Sequence, residues 1–158
     1  MSSFDDALEF RFKADTTWAD AHEDDKAAVT RLWNWIDSCK DDPAKFLAEY
    51  NQYFGNDSPF AWYLITDYFM AVDNRAKNMM LATWDSLIWY FLPYDMDTLF
   101  GVRNDSVLKY EYTITHESFD DSIGSYAFAG HDSVLWELVR SCPDKLREVA
   151  ETLRSNMS

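Results

Sequence analysis

Apolar residues recur every three or four positions along several segments of the chain, which is the spacing of an amphipathic helix. This spacing and the proline positions predict helices over residues 24–39, 43–54, 60–72, 133–139 and 143–153. The segment 60–72 is apolar on most sides, so we expect it to be the central buried helix. Two helix starts are predicted from a capping side chain followed by proline, namely Asp42 before Pro43 and Ser58 before Pro59.

The apolar pattern changes in the middle of the chain. Met79–Trp84 and Leu87–Leu92 are two apolar runs separated by Asp85 and Ser86, which predicts a β-hairpin with a two-residue turn. The alternation at residues 9–12 predicts a short additional strand. Helices, a hairpin, a loop and further helices in this order predict an α+β fold that is mostly helical with a central β-hairpin.

The length and the order of segments predict one domain over residues 1–158. A chain of this length buries roughly 68–70% of its unfolded surface, which is enough for a single core. The predicted segments are an N-terminal strand and acidic loop (1–23), helices (24–72), a polar loop and hairpin (73–101), a loop-rich stretch (102–130) and C-terminal helices (131–158).

Composition limits the kinds of partner. The chain has 28 acidic and 14 basic residues, a formal net charge of −14, and 17% aromatic residues. The aromatic content argues against a disordered acidic tail. The negative charge argues against direct binding of nucleic acid or of an anionic membrane surface. It is compatible with a solvated surface, or with attraction of a basic protein, including one that ordinarily binds DNA.

Other features bear on location. Cys39 and Cys142 are the only cysteines, so no disulfide framework is predicted and a reducing cytoplasm is expected. The N-terminus has no basic region followed by an apolar run, so we expect no secretion through a signal peptide. The longest apolar-rich segment, 59–72, contains Asp67, so we expect no membrane span.

Polar residues with oxygen-bearing side chains lie on both sides of the predicted hairpin. Asp73 ends the central helix, Asn78 precedes the hairpin, and Asp95 and Asp97 follow it. Because a hairpin returns the chain to its starting point, we expect these side chains to converge. Carboxylate and amide oxygens are the ligands that Mg²⁺ requires, with waters and substrate phosphates completing its shell.

The same order of residues resembles the catalytic half of a protein kinase, where an Asp, an Asn five residues later, a hairpin and a metal-binding Asp follow one another. More specifically, Asp73–Asn78 and Tyr94–Thr98 resemble the CotH family of atypical kinases, first known from spore coats, with its pattern D-x-x-x-K-N, two strands and W/Y-D-x-D. Ala61–Leu64 and Asp132–Trp136 resemble the versions of this family that occur in bacteriophage structural proteins.

The resemblance implies the C-terminal lobe of a kinase-like fold, with residues 73–101 as a segment like its catalytic loop. In that lobe Asp73 corresponds to the catalytic base, and Asn78 and Asp95 to the ligands of Mg²⁺. Asp97 corresponds to a second metal ligand or to a structural carboxylate.

Arg75 and Lys77 are the only basic residues between positions 51 and 100. They are candidates for contacts to a cofactor's phosphates, or for ion pairs with Asp95 and Asp97. A kinase also needs a Gly-rich loop and a nucleotide-binding lysine ahead of its catalytic loop. No glycine precedes Gly55, and Lys13 is the only early candidate for that lysine.

These observations lead first to a phage-associated structural protein of the virion. It would be non-catalytic, act through contacts with other phage structural proteins, and have neighbouring subunits or an oligomer complete its lobe. One alternative is an Mg²⁺- and ATP-dependent phosphotransferase of the CotH type. Another is an acidic inhibitor that mimics nucleic acid toward a basic host defence protein. The expected location is the virion or the cytoplasm of the bacterial host.

Overall fold

The computed structural model describes residues 23–69, 71–75, 78–96, 99–101 and 133–156. Their regular elements are α1 (Glu23–Ser38), α2 (Pro43–Glu49), α3 (Ser58–Tyr68), β1 (Met80–Thr83), β2 (Trp89–Leu92), α4 (Val134–Arg140) and α5 (Pro143–Asn156). Short 3₁₀ turns span Tyr50–Gln52, Val72–Arg75 and Leu99–Gly101. The predicted α+β class, mostly helical with a central hairpin, is confirmed. The predicted strand at 9–12 and the stretch 102–130 lie outside the described residues.

The two predicted helix starts have different outcomes. Asp42 caps α2, since its Oδ1 accepts a hydrogen bond from the amide of Lys45 at 2.9 Å. The prediction for α3 is wrong by one residue. Ser58 is already helical, and the preceding Asp57 adopts a left-handed conformation with φ of 55°. A capping residue needs a non-helical backbone to point its oxygen at the free amides, so the Ser58 hydroxyl does not serve as the cap.

Helix α3 lies at the centre of the structure, as predicted, and packs against α4, α5 and β2. It ends at Tyr68, before the predicted position 72, because the chain turns there and continues as the 3₁₀ turn Val72–Arg75. The amide of Ala71 donates to the carbonyl of Thr66 at 2.8 Å, which closes α3 with a wider turn. None of the described helices is long and apolar enough to cross a membrane.

The core is rich in aromatic side chains. Buried residues from all five helices and from β2 form one cluster. Trp35 stacks on Tyr53 with ring centroids 4.1 Å apart, and Phe91 stacks on both Phe54 and Trp62 at 5.6 and 5.7 Å. Trp35, Phe54 and Trp62 are buried, and each fully buried side chain of this size contributes about 1.5–3 kcal/mol, while Tyr53 and Phe91 are partly buried against them.

The hairpin has a longer connection than predicted. β1 and β2 are antiparallel, with Met80 opposite Leu92 and Thr83 opposite Trp89, so residues 84–88 form the turn. The predicted two-residue turn is therefore wrong. The physical reason is Asp85, whose Oδ1 accepts bonds from the Thr83 hydroxyl and from two following amides, at 2.8–3.2 Å. These bonds hold a wider turn.

A third segment pairs with the other edge of β2. Phe54 forms a parallel bridge with Trp89. The Trp89 amide donates to the Tyr53 carbonyl at 2.7 Å, and the Gly55 amide donates to the Trp89 carbonyl at 3.1 Å. A Cβ atom at position 55 would lie 2.3 Å from Cε1 of Tyr90, so glycine is required for this close approach. β2 is thus held on both edges.

Candidate functional site

The residues before and after the hairpin are joined by side-chain amides. Asn78 Nδ2 donates to the backbone carbonyl of Asp95 at 3.2 Å. Asn74 Nδ2 donates to the carbonyl of Tyr94 at 2.8 Å and to that of Asn78 at 3.4 Å. The hairpin therefore returns the backbone of Asp95 to the Asn78 side chain, and the expected convergence of the oxygen-bearing side chains stays a prediction. Their roles as metal ligands stay a prediction.

Asn74 has no predicted role in the sequence, and it makes several buried or partly buried hydrogen bonds in the loop. Its side chain is fully buried, and its backbone carbonyl accepts a bond from the Trp62 indole at 2.9 Å. The side-chain oxygen Oδ1 has no hydrogen-bond partner among the described residues. Asn74 thus ties the 3₁₀ turn Val72–Arg75 to the segment that follows β2 and precedes Asp95.

Two tryptophans hold consecutive carbonyls of this loop. Trp62 Nε1 donates to the Asn74 carbonyl, and Trp136 Nε1 donates to the Arg75 carbonyl at 2.7 Å. Both indoles also contact Phe91, with ring centroids 5.7 and 5.4 Å apart. The apolar pattern of the sequence predicts that these rings are core residues. It does not predict which carbonyl accepts each indole N–H, because Trp136 and Arg75 are 61 positions apart.

Arg75 is buried under the loop, with 2% of its side chain exposed. Its Nε donates to the Thr66 hydroxyl at 2.9 Å, and one Nη donates to Asp67 Oδ1 at 2.8 Å and to the Tyr63 carbonyl at 3.1 Å. Its guanidinium also lies 4.0 Å from the centre of the Tyr63 ring. These contacts give Arg75 a structural role in this conformation, and the phosphate contact expected of it from the sequence stays a prediction.

The environment of Arg75 also affects the Tyr63 hydroxyl. Burial raises the pKa of Tyr63, and the positive charge of Arg75 acts in the opposite direction. Asp67, the acidic residue within the apolar segment 59–72, is a carboxylate that balances the charge of Arg75.

The remaining predicted site residues are described in part. The backbone of Asp73 lies in the 3₁₀ turn Val72–Arg75. Lys77 and Asp97 lie outside the described residues, and the roles predicted for them and for Asp73 stay predictions. Asp95 is exposed and has a left-handed backbone with φ of 47°, a conformation that Asp tolerates better than most residues.

Asn78 and Asp95 are residue types that can bind magnesium, since Mg²⁺ prefers hard oxygen ligands such as amide and carboxylate oxygens. The contact between them joins the Asn78 amide nitrogen to the backbone carbonyl of Asp95. Among the described residues, no group of three or more His, Cys, Asp or Glu side chains is arranged to hold a metal ion. A complete site would therefore draw on Asp73 or Asp97.

Large aromatic side chains are exposed at the hairpin turn and at the end of α3. Trp84 at the hairpin turn is 80% exposed, and Tyr68 at the end of α3 is 75% exposed. Phe100 lies near Tyr68, its ring 5.4 Å from that of Phe69, and it adopts a left-handed φ of 58°. Exposed apolar groups of this size are typical of surfaces that bind other proteins.

The comparisons with known proteins give one match. The model of a family described as CotH kinase protein matches residues 2–140, a range that contains the polar loop, the hairpin and the Asp95 segment. No curated protein and no solved structure matches the chain. The match confirms the family on which the resemblance was based, and it does not distinguish the bacteriophage versions of that family.

Proposed function

Because the chain belongs to the CotH kinase protein family, we propose that it uses this kinase-like fold as a structural protein of a bacteriophage virion. It acts through protein–protein contacts and transfers no phosphate. Its partners are other phage structural proteins, with a basic host protein as the second class of partner. Its locations are the virion and, before assembly, the cytoplasm of the bacterial host.

The observation that carries this proposal is the use of Arg75 inside the fold. Phosphoryl transfer depends on cations that face the nucleotide phosphates. The Arg75 guanidinium instead faces Asp67, Thr66 and Tyr63 and is closed off from solvent. A residue that completes a buried ion pair stabilises the loop and is a poor partner for a soluble nucleotide.

The helices before the loop support the same proposal. In a kinase, a Gly-rich loop ahead of the catalytic loop covers the nucleotide phosphates. Here α1 and α2 contribute Trp35 and Phe46 to the same core as α3. Gly55, the first glycine of the sequence, is packed against Tyr90 and bonded to Trp89. Gly55 therefore serves to attach the segment 53–55 to β2.

The two segments that resemble phage proteins meet in the structure. The rings of Tyr63 and Trp136 lie 6.2 Å apart, and Trp62 and Trp136 donate to neighbouring carbonyls of the loop. The residues that carry the resemblance to phage proteins are therefore those that support the loop. The exposed side chains of Trp84 and Tyr68 are then available for contacts with a partner.

A particle inventory tests the virion assignment. Phage particles are purified through a density gradient, and their proteins are quantified by mass spectrometry against the lysate before purification. We expect the chain to co-purify with the particles in a fixed ratio to the other structural proteins. Loss of the chain during purification, with the other structural proteins retained, would overturn the assignment.

A second candidate, an Mg²⁺- and ATP-dependent phosphotransferase, is favoured by the bond that joins Asn78 to Asp95. In that case Asp73 would accept the proton of the substrate hydroxyl, and Asn78, Asp95 and Asp97 would hold magnesium. The metal would neutralise charge on the transferred phosphate. Within the described residues, the buried amides of Asn74 and Asn78 hold the backbone around Asp95 in place.

Calorimetry separates the two candidates. The chain is titrated with ATP in the presence of Mg²⁺, and Asp95→Ala is compared with Asp144→Ala, which removes an exposed carboxylate on α5. A structural protein releases no binding heat at millimolar nucleotide. Binding that is retained in Asp144→Ala and lost in Asp95→Ala would establish the nucleotide site and refute the non-catalytic proposal.

A further inference from the structure

An open groove runs from the turn of the hairpin along β2. We call it the tip groove, and its volume is about 560 Å³. The residues that line it are Trp84, Asp85, Tyr90, Phe91 and Leu92. The rings of Trp84 and Tyr90 are 5.6 Å apart and inclined at 78° to each other. Two nearly perpendicular rings and a carboxylate thus border one solvent-exposed space.

This arrangement is suited to a cation. The face of an aromatic ring carries negative potential, strongest for tryptophan, and attracts a cation within about 6 Å. Asp85 adds a full negative charge at the same place. Its Oδ1 is held by the Thr83 hydroxyl and by the amides of Leu87 and Ile88. These bonds lower the pKa of Asp85, so the carboxylate is ionised at neutral pH and fixed in position.

The Arg31 guanidinium reaches the hairpin turn, but Arg31 is not among the residues that line the tip groove. The Arg31 guanidinium lies 4.8 Å from the centre of the Tyr53 ring and donates to the Leu87 carbonyl. The formal charge of −14 favours a positively charged partner and disfavours a second copy of this chain. The occupant of the tip groove is therefore sought on another molecule.

We propose that the tip groove binds an arginine side chain of a partner protein. The planar guanidinium stacks on the Trp84 indole while its N–H groups donate to Asp85. Lysine combines these contacts less well, because its ammonium is compact and strongly hydrated. This inference rests on the proposed function, because the arginine would come from one of the proteins that the chain contacts.

Nuclear magnetic resonance tests this proposal on the intact chain. The ¹⁵N-labelled protein is titrated with N-acetyl-arginine amide as the probe. N-acetyl-citrulline amide serves as a neutral probe of nearly the same shape, and N-acetyl-lysine amide as the ammonium probe. We expect saturable shifts of the Trp84 indole signal with arginine, about two- to fivefold weaker affinity with lysine, and no saturation with citrulline.

Three variants make the test specific. With the backbone amide signals of residues 85 and 87 as the readout for all variants, Trp84→Ala abolishes the response, and Asp85→Asn weakens it about two- to fivefold while keeping an oxygen for the turn. Leu87→Ala, at an exposed position of the same turn outside the groove, leaves it unchanged. Equal responses to arginine and citrulline, or no saturation up to tens of millimolar arginine, would refute the proposal.

The particle inventory distinguishes this failure from that of the proposed function. A chain that is present in virions and does not respond to arginine contacts its neighbours through another surface. A chain that responds to arginine and is absent from virions has a basic partner outside the particle.

Discussion

The base and the tip of the hairpin are built in opposite ways. At the base, Asn74, Asn78 and Arg75 are buried and bonded to backbone or side-chain atoms that are distant in sequence. At the tip, Trp84 and Asp85 are exposed. Side-chain bonds from Asp85 that span two or three residues hold the turn, with one longer bond from the Arg31 guanidinium to the Leu87 carbonyl.

The difference separates what stabilises the fold from what is available to a partner. A buried polar group that loses its partner retains the full cost of desolvation, so changes at the base should lower the free energy of unfolding. An exposed side chain away from such contacts contributes within about 0.5 kcal/mol. Changes at the tip should therefore alter binding with little effect on stability.

The largest effect is expected from Arg75→Met. This variant leaves Asp67 and the Tyr63 carbonyl without the guanidinium at a nearly dry position. We expect a loss of about 3 kcal/mol in the free energy of unfolding, measured by urea denaturation. Asp67→Asn, which keeps an acceptor for Arg75, should cost less. A loss below about 1 kcal/mol for Arg75→Met would contradict its role as an internal anchor.

Trp136→Phe tests the indole bond at the base. It keeps an aromatic ring against Phe91 and removes the donor to the Arg75 carbonyl. The expected cost is about 2 kcal/mol, from the unpaired carbonyl and the smaller ring. Trp84→Phe is the matched change at the tip, and it should leave the urea midpoint almost unchanged. Equal losses for the two variants would remove the distinction between base and tip.

Gly55→Ala connects the two regions. The added methyl group would overlap the Tyr90 ring, which borders the tip groove, so the ring must move. We expect a destabilisation of about 1 kcal/mol together with weaker binding of the arginine probe. Combining Gly55→Ala with Tyr90→Leu should restore part of the stability, but not the binding. A normal Tyr90 spectrum in Gly55→Ala would show that the close approach is relieved elsewhere.

The smallest effect is the pH dependence of the turn. Bonds from the Leu87 and Ile88 amides and the Thr83 hydroxyl lower the pKa of Asp85 below its ordinary value of 3.8. A carboxyl with a lowered pKa stabilises the folded state above its unfolded pKa, and this stabilisation is lost as the pH falls through the folded pKa. The stability advantage of the wild type over Asp85→Asn should therefore be constant near neutral pH and shrink below pH 3.8. An advantage that grows in acid would contradict the assigned bonds.

Local signals in the sequence predict the elements well. The apolar spacing predicts α1, α3 and α5, and Asp42 before Pro43 predicts the start of α2. Each of these signals lies within one or two turns of the helix that it predicts. The two apolar runs give the hairpin and, through it, the approach of Asn78 to Asp95. The resemblance gives the family to which the chain belongs.

Long-range bonds explain what could not be predicted. Nothing in the spacing of Arg75 shows that its guanidinium folds back to Asp67 on the preceding helix. Likewise, the indole of Trp136 finds a carbonyl far away in sequence. The two polar residues between the apolar runs predict a two-residue turn, but the Asp85 side chain accepts bonds from amides beyond it, which makes the turn wider.

The bond from Trp136 to Arg75 also constrains the order of events during synthesis. A chain emerging from the ribosome presents Arg75 well before Trp136, which follows 61 residues later. Until then the carbonyl of Arg75 lacks its indole donor, and the side of Phe91 that packs on Trp136 is uncovered. The segment that resembles a catalytic loop therefore gains this hydrogen bond late in synthesis. A nascent chain arrested between β2 and α4 is the form most exposed to proteases and chaperones.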